Sequence, residues 1–530
     1  MRGRANALLI AVAALWVAAP VAAAAADDPA AALYQPGRVD VIELNLPQAS
    51  IDGLEADPDA YQPGTFSLAP TDGTPSGIGA FSAPVKAEVR LKGDASFRPL
   101  SGKAAFKLKF KKGERPFELK KMTLNNMVED PSMTHETLAY AAFRAAGVPA
   151  PRTSFAYLRV NGEDFGLHLD IETLDDLALE KRFGPFESKT QHLYEGENGV
   201  DVSPGAAGDF EVDEGEEASR GDLEALIGAV GSSGPPSWST RVAPFADLAE
   251  MTRMWAVEKY VGQRDGYASG ESPFQPNNYY LYSDPTGKFQ MIPWGTDETW
   301  QAGNHLAFGQ GHGLLFTHCL ADAECAAAYR ESVAASCGAI GTAGLDGLAS
   351  GTAALLAPWQ QLEQASSRHE YSLKEIADDV AATRAFLAAR PAEARAYLGG
   401  QCTSPPTPPV VAPAGSPPPA ASAKPPIAAL AVLRAKVAGR ALRSGIALGA
   451  AGTLSQRATI ATRDGTIVAC RATAEVDRPQ ELTLDCPLSA AFLRRLRARW
   501  LRVTVVTSFA SPGADPEAVT RAVVVPRRSP

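Results

Sequence analysis

Residues 251–300 have the sequence MTRMWAVEKYVGQRDGYASGESPFQPNNYYLYSDPTGKFQMIPWGTDETW. The stretch begins as a helix, which is predicted to break at Arg264-Asp265-Gly266 because short acidic residues and glycine favour turns. A Gly/Ser/Pro loop leads to Asn277-Asn278 and an aromatic strand, and the turn Asp284-Pro285-Thr286-Gly287 leads to a second strand that ends at Asp297. Acidic and amide side chains are therefore expected at the ends of a helix and two paired strands. That layout suits a site for a metal ion and a phosphate.

Three polar residues of this stretch follow the order in which phosphoryl-transfer enzymes present a base and two metal ligands. Asp265 can accept a proton from an attacking hydroxyl. Asn278 stands where a second metal ligand is expected, and Asp297 stands where the principal metal ligand is expected. Each residue alone is equally typical of a turn or a strand end, so the prediction depends on the ordered set.

Length and charge limit the classes of function. The chain has 530 residues, enough for two or three domains, and a net charge of -10, which argues against a nucleic-acid partner. Carboxylates concentrate in residues 209–224. Residues 196–221, acidic and rich in glycine, are predicted to be a mobile surface insertion. Calcium binding is the alternative for this segment, although no EF-hand pattern is present.

The N-terminus has the composition of a secretory signal over residues 1–26. Arg2 and Arg4 precede the apolar run 7–17, and small residues suited to cleavage follow. A membrane anchor is the alternative. Because no second segment is long enough to cross a membrane, the mature chain is predicted to have no transmembrane span and to be secreted or held at the cell surface.

The six cysteines fit an exported protein, and their even number suggests disulfides. Six cysteines allow 15 arrangements, so the connectivity stays open. One suggested arrangement pairs Cys319 with Cys325, Cys337 with Cys402 and Cys470 with Cys486. A zinc site that includes His318 beside Cys319 is the alternative, but no C-x-x-C spacing supports it.

Upstream of the opening stretch, the pattern predicts several strands, one helix and then a hairpin. Alternating apolar and polar residues indicate strands, and Asn161-Gly162 is a strong hairpin signal. A helix begins near Ser132, and the region between the first two strands is predicted to be irregular surface. The predicted strands are Arg38 to Leu46, Val85 to Lys92, Ala104 to Phe110, Leu119 to Leu124, Ser154 to Val160 and Phe165 to Ile171. This order matches the layout of a kinase-like N-lobe.

The C-terminal part of the chain differs from the rest in composition and in predicted secondary structure. Alanine-rich helices are predicted from Ala321 to Ala349 and from Leu373 to Leu398. Residues 401–426 form a proline-rich linker, a composition that favours extended polyproline structure. Residues 427–530 contain short alternating segments that predict a small β-sandwich. No catalytic constellation is visible in that module, so we interpret it as an accessory domain.

Several pieces of the chain, in the same order, resemble the CotH (spore-coat protein H) family of secreted atypical protein kinases. They are Arg90 to Asp94, Lys103 to Phe110, Leu124 to Asn126, Glu136 to Pro149, Tyr157 to Glu172, Asp265 to Tyr267, Asn277 to Tyr282 and Ile292 to Trp300. The resemblance implies an α+β fold: an atypical protein-kinase-like two-lobed domain over residues 27–400, followed by the small all-β sandwich. The N-lobe would cover about 38–172 and the C-lobe about 173–400.

The resemblance also implies roles for individual residues. Asp265 matches the family's catalytic aspartate, and Asn278 matches the asparagine before the aromatic strand. By analogy with kinases, Lys107 or Lys109 would contact the phosphates of ATP. Each lysine is also typical of a solvated strand face.

Two glutamates complete the implied nucleotide site. Glu136 could pair with that lysine, or could simply favour the first turn of its helix. Glu172 could lie at the hinge between the lobes, or could be structural. The implied metal ligands are Asn278 and Asp297, and the implied cofactors are ATP and Mg²⁺ or Mn²⁺.

One departure from the family pattern divides the functional hypotheses. Many members read Pro-Trp-Asp-x-Asp-x-Thr, whereas this chain has Gly295 in place of the first Asp. Asp297, on the same side of an extended chain, could take over the metal. The first hypothesis is then an exported protein kinase that acts on serine-containing proteins. The second is a catalytically degenerate surface or adhesion protein whose C-terminal module binds a cell-surface or matrix partner. The third is a structural coat or envelope component.

Overall fold

The computed structural model describes residues 28–403, except 36, 94, 197–198, 269–275 and 304. It also describes residues 430–438, 441–448, 450–462, 465–478, 480–489, 492, 501–510 and 517–525. The predicted signal segment over 1–26 lies outside these residues, as does the predicted linker from residue 404 onward. The chain divides into two compact units, Met1–Val410 and Val411–Pro530.

The first unit is a mixture of strands and helices, and the predicted α+β class is confirmed. Its strands are β1 (Val39–Asn45), β2 (Gln62–Ala69), β3 (Val85–Lys92), β4 (Ala105–Phe110), β5 (Lys121–Asn125), β6 (Thr153–Val160), β7 (Glu163–Ile171), β8 (Leu193–Gly196), β9 (Glu211–Glu214), β10 (Tyr279–Ser283) and β11 (Phe289–Pro293). Its helices are α1 (Gln48–Ala56), α2 (His135–Ala145), α3 (Asp176–Phe183), α4 (Gly221–Val230), α5 (Trp238–Val242), α6 (Leu248–Val261), α7 (Leu314–Ala321), α8 (Ala323–Thr342), α9 (Leu345–Glu363) and α10 (Leu373–Leu398).

Seven strands close into a barrel in the order β1-β2-β3-β4-β5-β7-β6. Alternation decides which side chains line it: Phe106, Leu108 and Phe110 of β4 are buried in its interior cluster, while Lys109 is exposed on the outer face. The β6–β7 hairpin turns through Asn161 and Gly162, both with positive φ, as the sequence predicted. Parallel pairing of β1 with β6 closes the barrel.

The prediction of irregular surface between the first two predicted strands was wrong. Residues 48–56 form α1 and residues 62–69 form β2, which pairs with both β1 and β3. Pro63 and Gly64, which are poor strand formers, hide this strand in the sequence. Tertiary pairing therefore overrides local propensity here.

A second sheet in the order β11-β10-β8-β9 carries the residues of the opening stretch. Helix α6 begins at an Asp247 cap, where the carboxylate accepts from Glu250 N at 3.1 Å, and ends at Gly262 with a φ of +68°. Trp255, Val257 and Val261 of this helix join a core cluster with residues of α2, α8 and β10. The helix therefore holds the following loop against the sheet.

The acidic segment 196–221 is not a loosely attached surface loop. Val202 and Phe210 are buried in the core. Asp201 accepts from Tyr267 Oη at 3.0 Å and from Leu314 N at 2.7 Å. Glu214 of β9 pairs with Lys121 on the barrel at 2.7 Å. The prediction of a mobile insertion was wrong for these residues, because a few apolar anchors outweigh the polar composition.

The second unit consists of antiparallel strands in two sheets, β12-β13-β16 and β15-β14-β17-β18. The strands are β12 (Leu430–Ala438), β13 (Ala441–Leu448), β14 (Gly452–Thr462), β15 (Gly465–Val476), β16 (Gln480–Pro487), β17 (Leu501–Ala510) and β18 (Glu517–Val525). Buried residues of both sheets, including Leu442 and Val505, share one cluster.

All three predicted disulfides are present, and no cysteine is free. Cys319–Cys325, Cys337–Cys402 and Cys470–Cys486 have Cα separations of 5.0, 5.4 and 5.6 Å, within the usual range. The alternative of a zinc site at Cys319 is excluded by its disulfide. In the described part of the chain, no helix combines the length and apolar character needed to cross a membrane.

Candidate active site

Asp265 lies in the loop between α6 and β10, where two asparagines orient its carboxylate. Asn277 Nδ2 donates to Asp265 Oδ2 at 3.0 Å, and Asn278 Nδ2 donates to the same oxygen at 2.9 Å and to the Asp265 carbonyl at 2.8 Å. Burial raises the pKa of Asp265, the hydrogen bond from Asn277 lowers it, and the Glu298 charge raises it further. A half-buried carboxylate held in this way is equipped to accept a proton.

The loop that follows β11 is tied to the Asp265 loop by backbone and side-chain contacts. Gln263 Nε2 donates to the Gly295 carbonyl at 2.7 Å, and Arg264 N donates to the Glu298 carbonyl at 3.0 Å. The guanidinium of Arg264 also pairs with the Glu298 carboxylate. These links fix the two loops relative to each other and bring Asp265 and Asp297 to the same region.

Gly295 and Asn278 are packed directly against each other. Gly295 has a φ of +46°, and Asn278 has a φ of +51°. A Cβ at position 295 would lie only 2.4 Å from Asn278 Oδ1 and 2.7 Å from its Cγ. The Asn278 amide thus fills the space that a side chain at 295 would need. Glycine at 295 is a steric requirement of this arrangement.

Asp297, Glu136 and Lys92 form an electrostatically linked group. Burial raises the pKa of Asp297 to about 6, and Lys92 is the strongest charge opposing that rise. Burial raises the pKa of Glu136 to about 8, Asp297 adds to it, and Lys92 opposes it. Burial lowers the pKa of Lys92, and Glu136 is the strongest charge opposing that change. Asn125 Nδ2 orients Glu136 through a hydrogen bond of 2.5 Å to Oε2.

Glu129, in the loop between β5 and α2, faces the same region. Burial raises its pKa to about 7, and the charges of Asp297, Glu298 and Asp265 add to that rise. We call Glu129, Glu136, Asp265, Asp297 and Glu298 the acidic cluster. Because neighbouring like charges raise one another's pKa, a cation bound among them would favour their ionised forms. Clustered perturbed carboxyls are also a common mark of functional sites.

The structure separates the two lysines that the sequence left as alternatives. Lys107 is half-buried on the outer face of β4, opposite Arg90 on β3, and its charge contributes to lowering the pKa of Lys92. Lys109 is exposed, and its ammonium lies 4.0 Å from the centroid of the Tyr61 ring. Lys107 therefore borders the acidic cluster through Lys92, while Lys109 makes a cation–π contact outside it.

Glu172, which was predicted either at the nucleotide site near the hinge or as a structural residue, is engaged by two arginines. It pairs with Arg152 at 2.7 Å and with Arg182 on α3. Burial raises the pKa of Glu172, but the two guanidinium groups outweigh burial and hold the pKa at about 2. The pairing joins the end of β7 to α3, so Glu172 stabilises the connection between the barrel and the helices.

Lys92, which is electrostatically linked to the acidic cluster, and Glu129, which belongs to it, were missed from the sequence. Lys92 stands within Arg90 to Asp94, a piece that carried the family resemblance, and alternation places it on the outer face with Lys107. That position at the end of β3 was the available signal. Glu129 had no such signal, because a carboxylate in a loop between a strand and a helix is usually solvated.

The donors in this region fit a small divalent cation. The carboxylate of Asp297 and the amide oxygen of Asn278 are hard oxygen ligands, which Mg²⁺ and Mn²⁺ prefer. A bound cation would oppose the raised pKa values of Asp297 and Glu129, because it would stabilise their ionised forms. Asp297 and Asn278 are the residues that could hold such an ion.

Comparisons with known proteins identify the family of this chain. The family described as "CotH kinase protein" matches residues 89–383, more than half of the chain. The Inner spore coat protein H of Bacillus subtilis (strain 168) is 25% identical over 185 residues, covering 33% of this chain and 49% of that protein. The Inner spore coat protein H-like protein of the same organism is 36% identical over 78 residues, covering 14% of this chain and 24% of that protein.

The chain thus spans about half the length of one curated relative and about a quarter of the other. The family match includes Lys92, Glu136, Asp265, Asn278 and Asp297, and the resemblance inferred from the sequence is confirmed. The chain belongs to the CotH kinase protein family.

Proposed function

We propose that this chain is an exported protein kinase that uses ATP with Mg²⁺ or Mn²⁺ to phosphorylate serine-containing proteins outside the cytoplasm. The observation that carries the proposal is the convergence of Asp265, oriented by two asparagines, with the linked group Asp297–Lys92–Glu136. In this reading the barrel with α2 and the helical remainder are the two lobes of a kinase-like fold. The C-terminal sheets are a β-sandwich accessory module.

Each residue of the site has a defined task in this proposal. Asp265 accepts the proton of the attacking hydroxyl, and the hydrogen bonds from Asn277 and Asn278 hold its carboxylate in one orientation. Lys92 supplies positive charge to the phosphates, and the charge of Glu136 favours its ionised form. Asp297 and Asn278 hold the metal ion, which when bound neutralises charge on the transferring phosphoryl group.

Location outside the cytoplasm is supported by three features. The signal-like segment 1–26 and the three disulfides are typical of exported proteins. The printed names of the two relatives refer to the inner spore coat, so a coat-type protein is a reasonable class of substrate or neighbour.

A second candidate function is a catalytically degenerate surface or adhesion protein. Gly295 favours it, because many family members carry an aspartate there. The steric fit of Gly295 against Asn278 supports an alternative explanation: the metal role has moved to Asp297. The two candidates differ in whether Mn–ATP binds and is turned over.

The proposal is tested by incubating the full chain with Mn²⁺ or Mg²⁺, γ-labelled ATP and a serine-containing peptide library. Loss of the general base is expected to lower phosphotransfer by roughly 10²–10⁴-fold in Asp265→Asn. Asp346→Asn is the matched control, since Asp346 is exposed and pairs with Arg384 on the surface. Equal labelling in Asp265→Asn and the control, with both folded, would exclude catalysis by this site.

A further inference from the structure

His135, the first residue of α2, uses every hydrogen-bonding group it has inside the protein. Its side chain is fully buried. Its backbone N–H donates to Asp130 Oδ2 at 2.7 Å, and its carbonyl accepts from Trp300 Nε1 at 3.1 Å. Nδ1 lies 2.8 Å from the Asp297 carbonyl, and Nε2 lies 2.9 Å from Thr383 Oγ1. Because a carbonyl can only accept, Nδ1 must carry the hydrogen.

This imidazole connects three segments whose relative positions matter for the proposed reaction. It belongs to α2, whose next residue is Glu136. It holds the peptide of Asp297, and through Thr383 it contacts α10. Helix α10 is further attached by Asp379 Oδ2, which accepts from Ser132 N at 3.1 Å. A displacement of His135 would therefore move Glu136 and Asp297 relative to each other.

Asp130, His135 and Asp379 place three potential metal-ligand atoms within 4.8 Å of one another. The hydrogen bonds argue against a second metal site. Both imidazole nitrogens already have partners, and Asp130 Oδ1 accepts from Ser132 Oγ at 2.6 Å and from Met133 N at 3.0 Å. Satisfied polar groups of this kind define a rigid network, since leaving any of them unpaired would be costly.

We propose that His135 is a positioning residue: its Nδ1–H holds the Asp297 peptide so that the Asp297 carboxylate and Glu136 present a formed metal and phosphate site. Helix α10 supports the ring from the opposite side. This inference rests on the proposed function for its catalytic consequence. The anchoring itself can be measured without nucleotide.

Two amide substitutions distinguish the contact made by Nδ1 of the His135 ring from the contact made by Nε2. The amide nitrogen of asparagine lies about where Nδ1 of histidine lies, and that of glutamine about where Nε2 lies. His135→Asn can therefore keep the Asp297 contact, while His135→Gln can keep only the Thr383 contact. Arg384→Met is the control, because Arg384 lies on the exposed side of α10 and pairs with Asp346.

The first readout is hydrogen exchange of the peptide covering residues 294–300 in the full chain, without nucleotide. Within this peptide, the amide of Trp294 donates to the Asn278 carbonyl and the amide of Trp300 donates to the Val261 carbonyl. Exchange is expected to rise in His135→Gln and to stay near wild type in His135→Asn and Arg384→Met. The same rate in the Gln and Asn variants would overturn the proposal.

The second readout is the Mn²⁺ concentration that half-activates phosphotransfer, together with kcat. His135→Gln is expected to need about 10–100-fold more Mn²⁺, as is typical when a group supporting a metal ligand is lost, and His135→Asn is expected to stay within about threefold. Should the Gln variant not fold, a tenfold weakening in the Asn variant overturns the proposal by itself. Wild-type protein without phosphotransfer but with the expected exchange pattern would refute the proposed function while supporting the anchoring role.

Discussion

Replacement of Gly295 by alanine tests whether the Asn278 side chain fills the space beside position 295, where many family members carry an aspartate. The backbone at 295 has a φ of +46°, and a Cβ in this left-handed region costs about 1 kcal/mol or slightly more. The added carbon must also displace Asn278, whose amide is 2.4–3.2 Å from the ideal Cβ. Displacement would remove the two hydrogen bonds from Asn278 Nδ2 to Asp265.

The size of the effect follows from these contacts. A hydrogen bond to a neutral carbonyl contributes about 1 kcal/mol, and one to a carboxylate contributes about 1.5–3 kcal/mol. Together with the backbone cost, Gly295→Ala is expected to lower the free energy of unfolding by about 3–5 kcal/mol. Gly344→Ala is the matched control: Gly344 has a φ of +69° and nothing within 4 Å of its Cβ position, so only about 1 kcal/mol is expected.

Urea denaturation followed by tryptophan fluorescence measures both variants. The double variant Gly295→Ala, Asn278→Gly removes the collision, and it should be less destabilised than the sum of the two single changes. If Gly295→Ala costs no more than Gly344→Ala, Asn278 does not fill the space at 295. The argument that Asp297 replaces the missing acid would then lose its steric basis.

Three further predictions concern single side chains. Lys92→Met should weaken Mn–ATP binding at least about tenfold in calorimetry, and more than Lys109→Met does. The reason is that Lys92, unlike Lys109, interacts electrostatically with Asp297 and Glu136. Equal effects of the two substitutions would contradict this assignment. Glu172 has its pKa held at about 2, below its usual 4.5, so its stabilisation of about 3 kcal/mol is present above pH 4.5 and is lost as the pH falls toward 2. The stability difference between wild type and Glu172→Gln should shrink over that range, and a constant difference would refute it. Burial raises the pKa of Asp170 well above its usual range, so wild-type stability falls as the pH rises above about 4. In thermal melts, the stability of Asp170→Asn should therefore increase relative to that of wild type between pH 5 and pH 8. A stability difference that does not change with pH would count against this prediction.

Local patterns in the sequence were sufficient for much of the fold. Alternation in β3 and β4 predicted which side chains face the barrel interior, and Asn161-Gly162 predicted the hairpin. The three suggested cysteine pairs, one arrangement among 15, are confirmed by the structure. Helix α10 runs from Leu373 to Leu398 as predicted. The strand faces, the hairpin and α10 depend on residues that are close in sequence, so a single chain contains the information.

Features that depend on distant partners were not predictable in this way. Strand β2 contains Pro63 and Gly64, and it exists because β1 and β3 flank it. The segment 196–221 looks solvated by composition, but Phe210 anchors it in the core. Alternation could place Lys92, Lys107 and Lys109 on one face, but only the fold shows which of them approaches Glu136 and Asp297.

The most direct test of the central claim, that Asp297 holds the metal of a nucleotide site, is calorimetric titration of Mn–ATP into the full chain. Wild-type protein is expected to bind Mn–ATP and to bind ATP far more weakly when the metal is chelated. Asp297→Asn is expected to lose at least about tenfold in affinity, whereas Asp346→Asn should bind as wild type does. Unchanged binding by Asp297→Asn would contradict the metal assignment, and no binding by wild type would favour the degenerate surface protein.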